Sequence, residues 1–401
     1  MAEIVVFNVP GSGHVNPTLP VVAELVARGH AVRYFNTARF QAAIERTGAA
    51  FRSYPNGAMM EVAFMQRAGN LATISSFLLQ ESERLLPWLC TELAKERPDL
   101  VLFDAIALWG MQVARLQQLP SVASIGLFIF EGTKGLIGWR DTVHQMRQAL
   151  PHIPALLRSR RRLTRRYGAK IFPSQAIFPA VSDCNLVYTS REFQPDSSFV
   201  NEHFHFVGPS IAHGVRGDSD FPWHELDGSR PRVYLSLGTI YNDNLTFYRQ
   251  VLETFADYPA QFIVALGRQV QIEALGAIPA NFLIQPTVPQ LELLPKVDLF
   301  ISHGGMNSVN EALYFGVPLV IVPQQIEQML NGRQSARKGA AILLGARPPY
   351  GQVAMADLCA AITTVLHEPA FGQAATRLGD SFRAAGGYRR AVQLIEQTLH
   401  R

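Results

Sequence analysis

Cysteine is scarce in this chain. Cys90, Cys184 and Cys359 are the only three in 401 residues, widely spaced and with no CxxC. That argues against a disulfide framework and a cysteine zinc site, and points to reduced thiols in a cytosol. Charge is sparse as well: 17% of residues are charged against 48% hydrophobic, a balance that suits a buried core and argues against disorder. The net charge of +4 does not by itself imply a nucleic-acid partner. No apolar run reaches the roughly 20 residues needed to cross a bilayer. Met1-Ala2-Glu3 runs into Ile4–Phe7 as a strand entry rather than a signal peptide. Repeats at solenoid periods and low-complexity segments are missing too. A cytoplasmic, soluble protein is expected, too long for one ordinary core and therefore of two domains.

Short apolar bursts alternate with longer amphipathic stretches, the pattern of βαβ units and parallel sheets. The first set is Ile4–Asn8, Ala31–Asn36, Phe51–Tyr54, Leu100–Asp104, Val122–Phe130, Leu186–Thr189 and Phe204–Val207. Between Pro209 and Pro231 the pattern lapses into Gly, Ser, Asp and Pro, as a linker does. The second set is Val233–Leu237, Phe262–Leu266, Phe282–Gln285, Leu299–Ser302, Leu319–Val322 and Ala341–Leu344. The expected division is 1–212, a linker 213–231, a second domain 232–380 and a terminal helix 381–401.

The richest segment is Phe300-Ile301-Ser302-His303-Gly304-Gly305-Met306-Asn307-Ser308-Val309-Asn310-Glu311. A strand enters a Gly-Gly turn and leaves as a helix. Glycines let a bulky anion approach the backbone, and a helix N-terminus supplies N–H groups and positive potential. His303, Asn307 and Ser308 add donors, and Glu311 offers an acceptor for hydroxyls one turn further in. The arrangement suits phosphates joined to a sugar, although a glycine-packed strand–turn–helix accounts for the local pattern too.

The first strand ends in Pro10-Gly11-Ser12-Gly13-His14, with a helix expected from about Asn16-Pro17. A histidine at that boundary is expected to stay neutral and to accept a proton from a hydroxyl. Dinucleotide binding fits poorly: the third glycine of GxGxxG is Asn16, and Tyr34-Phe35-Asn36 brings no acid for a ribose. Asp104, ending Leu100–Asp104, is the candidate to orient His14; capping a helix that starts near Ala105 is its other role.

With Val288-Pro289-Gln290 before it, and Gly316-Val317-Pro318 and Pro323-Gln324-Gln325-Ile326-Glu327-Gln328 after it, the 300–311 segment resembles the donor-binding signature of family 1 nucleotide-sugar glycosyltransferases. The bacterial macrolide branch is the nearest likeness, and Gly11-Ser12-Gly13-His14-Val15-Asn16-Pro17-Thr18-Leu19 resembles its acceptor-side motif. The resemblance implies a GT-B fold, two Rossmann-like α/β domains facing across a cleft, with the last helix returning to the first domain. It implies His14 as base, paired with Asp104. On the donor side it implies Thr239, His303, Gly305, Asn307 and Ser308 at the phosphates, Gln290 and Glu311 at the ribose, and Glu327 and Gln328 at the sugar. Thr287 stands where many relatives stack a tryptophan on the base, so the base must be held otherwise, as by the Val288 backbone. The implied co-substrate is a UDP-sugar, with TDP as the alternative, and no cofactor or metal. Asp218-Ser219-Asp220 has the Asp-x-Asp form of metal-dependent enzymes but lies in the linker.

The acceptor implied is a hydrophobic molecule with a nucleophilic hydroxyl: macrolide, flavonoid, phenol or lipid-like alcohol. Phe64, Trp109, Met111, Phe128 and Phe130 are wall candidates, with ordinary core packing the competing role of each. Arg158, Arg160, Arg161, Arg162, Arg165 and Arg166, interleaved with Leu156, Leu157 and Leu163, read as a solvated helix face or as a contact with an anionic membrane. No recognition module accompanies them, so nucleic acid is not expected. Two other functions fit the phosphate site: a sugar-nucleotide epimerase and a catalytically silent binding protein.

Overall fold

The apolar bursts form two wholly parallel sheets in a computed structural model that describes residues 1–67, 71–130, 137–172, 179–216, 220–238, 244–267 and 269–400. The first sheet contains β1 (Glu3–Phe7), β2 (Ala31–Asn36), β3 (Ala50–Ser53), β4 (Leu100–Asp104), β5 (Ser121–Ile125), β6 (Asn185–Val187) and β7 (Phe204–Phe206). Their order is β3-β2-β1-β4-β5-β6-β7. The second contains β8 (Arg232–Ser236), β9 (Gln261–Ala265), β10 (Phe282–Gln285), β11 (Leu299–Ser302), β12 (Leu319–Ile321) and β13 (Ala341–Leu343), in the order β10-β9-β8-β11-β12-β13.

These strands read as continuous apolar runs because helices cover both faces of a parallel sheet. On β1, Val5 and Phe7 enter one buried cluster, while Ile4 and Val6 enter another. That split is the two-residue period of a strand with core on either side. In each sheet the chain lays three strands outward, then returns to pair beside its starting strand. The return strands are β4, with Phe103 opposite Phe7, and β11, with Ser302 opposite Ser236. Ligands of open α/β sheets collect at the carboxyl ends of strands where the order reverses.

The chain separates into two units. One takes Met1–Lys134, Gly138–Arg216 and Ala384–Arg401; the other takes Gly135–Ile137 and Gly217–Arg383. The terminal helix Gly387–Leu399 thus belongs to the first unit. Its Ala391, Val392, Leu394 and Ile395 join the cluster of Ile4, Val6 and Leu19. Arg28, the C-cap of the helix Ser12–Ala27, bridges to its Glu396 at 2.8 Å.

Several boundaries differ from the sequence reading. The first helix starts at Ser12 and carries Pro17 and Pro20 inside it. The helix after β4 starts at Leu108, not near Ala105. The burst Val122–Phe130 is strand only as far as Ile125. The long helices Gly57–Arg67, Leu71–Lys95 and Trp139–Ala149 were not anticipated.

Ile395 is fully buried in the first unit's core. Ile395→Ala is therefore expected to cost about 2–5 kcal/mol, whereas Glu396→Ala, which removes an exposed pair, should cost about 1 kcal/mol or less. Urea unfolding of the two variants checks this, and equal losses would contradict the docking of this helix.

Candidate active site

In the first unit, β1 and β4 deliver one residue each to the point where the strand order reverses. The chain leaves β1 through Gly11, the N-cap, and His14 falls in the first turn of the helix. Its backbone N–H donates to the Gly11 carbonyl at 3.0 Å. Nδ1 of His14 meets Oδ2 of Asp104 at 2.9 Å, and the side chains are 21% and 2% exposed. The other carboxylate oxygen of Asp104 accepts from the Ile106 N–H at 2.9 Å. Asp104 is therefore not the helix cap foreseen as its other role: the helix begins at Leu108 with Ala107 as its N-cap, and the second carboxylate oxygen closes a turn instead. A carboxylate accepts from Nδ1–H, which leaves Nε2 as the basic nitrogen.

A buried network supports this loop from beneath. Asn8 Nδ2 donates to the His14 carbonyl at 3.0 Å and to Tyr34 Oη at 2.9 Å. Tyr54 Oη donates to the Asn8 carbonyl at 3.1 Å and accepts from Trp109 Nε1 at 3.0 Å. Burial pushes the phenols of Tyr34 and Tyr54 well above their ordinary range, so both stay protonated donors.

In the second unit, β8 and β11 bring Gly238 and His303 together at the corresponding reversal. A Cβ on Gly238, where φ is +84°, would stand 2.6 Å from His303 Cε1, and one on Gly305 would stand 2.5 Å from His303 Nε2. The imidazole lies in a slot that only two bare backbones can form. Gly304 is fixed beside it: its carbonyl accepts from Asn331 Nδ2 at 2.8 Å, and its N–H donates to Ser302 Oγ at 3.1 Å. Burial pushes the His303 imidazole down to about 4, with the neighbouring Ser236 backbone pulling the other way. It is neutral at pH 7. Its enclosed Nδ1 has no hydrogen-bond partner among the described residues. The helix Met306–Tyr314 then begins with Asn307 and Ser308 in its first turn, without a side-chain cap or an acidic residue there.

One turn deeper, the buried carboxylate of Glu311 accepts from Gln290 Nε2 at 2.7 Å, and Gln290 Oε1 accepts from Tyr234 Oη at 3.2 Å. Gln328 Oε1 accepts the Gln324 N–H at 2.8 Å, so its amide nitrogen is the end left to donate elsewhere. Glu327 Oε1 lies 3.4 Å from Asn331 Nδ2.

The model of the Erythromycin biosynthesis protein CIII-like C-terminal domain matches residues 249–393. An NDP-glycosyltransferase of Bacillus subtilis is 32% identical, over 98% of this chain and 96% of its own. The chain belongs to the family 1 nucleotide-sugar glycosyltransferases, in their bacterial macrolide branch. A demethyllactenocin mycarosyltransferase of Streptomyces fradiae is 31% identical, over 100% of this chain and 87% of its own. The crystal structure of the kitacinnamycin glycotransferase matches with a TM-score of 0.82 at 28% identity, covering 99% of this chain and 98% of that one. The two sheets are those of the GT-B fold.

Within this glycosyltransferase the acceptor candidates do not form a common wall. Trp109 and Met111 are corrected to core residues: both are buried, and the Trp109 indole is committed to Tyr54. Phe128 is enclosed beside Phe130 and Phe193, and Phe130 is half-buried. Phe64 lies beside His14, its ring edge-on with centroids 6.4 Å apart and where a Cβ on Gly11 would go, but it too is a buried core residue. Val288 is half-buried and Thr287 exposed. Thr239, and Asp218 and Ser219 of the Asp-x-Asp sequence, lie outside the described residues. The sequence reading missed Asn8, Tyr234, Gly238 and Asn331. Of these only Gly238, in Leu237-Gly238-Thr239 after a strand, and Asn331, one turn beyond Glu327, carried a local signal.

Two outcomes follow from the His303 slot. Gly305→Ala should weaken nucleotide-sugar affinity by about tenfold or more, because the new methyl displaces the ring; unchanged calorimetric affinity would contradict the slot. In the unfolded chain an imidazole titrates near its ordinary 6.5, so between 6.5 and 4 the unfolded state binds more protons. Stability is then fully present above 6.5 and falls as pH drops towards 4, by up to about 3 kcal/mol. Urea midpoints at pH 7 and pH 4.5 should show that fall in the wild type and a smaller one in His303→Gln.

Proposed function

We propose that this glycosyltransferase moves a hexose, glucose in our reading, from a UDP-sugar to a hydroxyl of a hydrophobic small molecule, with inversion and without a metal. The observation that carries the reading is the His14–Asp104 pair at 2.9 Å, held at the strand-order reversal of the first sheet. The second unit supports the donor half: the glycine slot around His303, the first turn at Asn307 and Ser308, and the Gln290–Glu311 pair.

In this mechanism Nε2 of His14 takes the acceptor's hydroxyl proton while that oxygen bonds to the anomeric carbon. The bond from that carbon to the diphosphate breaks on the opposite face, and its electrons leave with UDP. Asp104 holds the proton on Nδ1 and stabilises the imidazolium that forms. The 302–311 segment contains no Lys or Arg, and His303 is neutral. The leaving charge is met by backbone N–H groups, hydroxyl and amide donors and the helix dipole. Glu327 and Gln328 hold sugar hydroxyls, and the ribose falls to Glu311 and Gln290. With threonine at 287, the base rests on the Val288 backbone. Phe64, packed edge-on beside His14 and itself buried, steadies the imidazole rather than offering a wall to the acceptor.

His14→Ala should lower kcat by about two to four orders of magnitude while UDP-sugar binding, followed by calorimetry, persists. Asp104→Asn should give an intermediate loss. Product formation is read by mass spectrometry with UDP- and TDP-sugars against macrolide, flavonoid and phenolic acceptors. Unchanged turnover in His14→Ala would remove the assignment of the base.

A further inference from the structure

The helices Trp139–Ala149 and Ile153–Tyr167 are joined by one tight turn, Leu150–His152, whose backbone stays helical at Leu150 and at Ile153. Along this nearly continuous rod, Trp139, Val143, Met146, Leu150, Ile153 and Leu157 recur at alternating spacings of four and three. That spacing keeps them on one face. All six are exposed, Trp139 at 73%, Leu150 at 61% and Met146 at 60%. The other side of the rod packs inward through Ser159 and Leu163, both buried, and the apolar row has no cover among the described residues.

The charge beside that row has one sign. Residues 139–167 hold eight arginines and a single acid, Asp141. Asp141 is buried, and its Oδ2 accepts from the Gly138 N–H at 3.0 Å, so it presents no negative charge outward. At 100° per residue, Arg140, Arg147, Arg158, Arg161 and Arg165 line one border of the row. These five are exposed, whereas Arg162 pairs with Glu83 at 3.0 Å. Arg140 also lies over the Trp139 ring, 5.3 Å from its centroid. A second copy of this chain laid row to row would bring no exposed acid of residues 139–167 to meet these arginines. An exposed apolar stripe with an interfacial tryptophan, bordered by cations, matches a helix that lies in a lipid headgroup layer.

We propose that the face from Trp139 to Arg165 binds the surface of an anionic lipid bilayer, with the apolar row entering the headgroup boundary and the arginines meeting lipid phosphates. Binding is peripheral, since no helix among the described residues is long and apolar enough to cross a membrane. The inference does not rest on the transfer reaction, and its test does not use activity.

The full chain would be floated with vesicles of phosphatidylcholine alone or mixed with phosphatidylglycerol, at low and high salt, and sedimented alone in parallel. The wild type should float with the anionic vesicles at least about tenfold more than with neutral ones, and high salt should release it. Met146→Glu with Leu150→Glu should lose binding by about tenfold or more, and Arg158→Glu, Arg161→Glu and Arg165→Glu together by about a hundredfold. Circular dichroism confirms that each variant folds. Equal binding to both vesicle types, binding to neither, or a dimer that Met146→Glu with Leu150→Glu turns into monomer would each overturn the proposal; the last would assign the face to a second copy.

Discussion

The chemistry of both units depends on one constraint: in a parallel sheet the strand order must reverse, and the two strands flanking the reversal send their loops apart. The gap left there is where a small molecule meets backbone. In the first sheet the gap is flanked by β1 and β4, and it holds an imidazole against a buried carboxylate. In the second it is flanked by β8 and β11, and it holds an imidazole between two glycines. The same topology thus sets two histidines in different surroundings. His14 has the Asp104 carboxylate on Nδ1, at 2.9 Å. His303 is kept neutral by burial, in a slot between Gly238 and Gly305.

Residues well away from either site fix these positions. Trp109 connects to His14 through Tyr54 and Asn8, a chain of hydrogen bonds that ends on the His14 carbonyl. Asn331 holds the Gly304 carbonyl, so the turn after β11 leans on the helix Ile326–Arg337, which also carries Glu327 and Gln328. A shift in that helix would move Gly304, Glu327 and Gln328 together.

The sheets were legible in the sequence because a strand buried on both faces must be a short apolar run, as Leu100–Asp104 and Leu299–Ser302 are. The positions of the two histidine loops were legible because glycine after such a run marks the turn where a strand ends and a helix begins. The acceptor wall was not. In the helix after β4 every residue from Leu108 to Ala114 is buried, so helical periodicity cannot separate a pocket face from a core face. Asn8 was invisible because its partners Tyr34 and Tyr54 lie 26 and 46 residues away. The arginine run was noticed, but its leucines divide: Leu163 is buried and Leu157 exposed, and the apolar row runs back to Trp139, which carries no signal of its own.

If an imidazole works on one side of the sugar and the diphosphate departs from the other, the configuration at the anomeric carbon must invert. The most direct measurement is the proton–proton coupling at that carbon, by NMR, in product made from an α-linked UDP-sugar and a hydroxyl acceptor. The account predicts a β-glycoside. An α-glycoside would contradict it, because retention requires an attack that a single base opposite the leaving group cannot deliver.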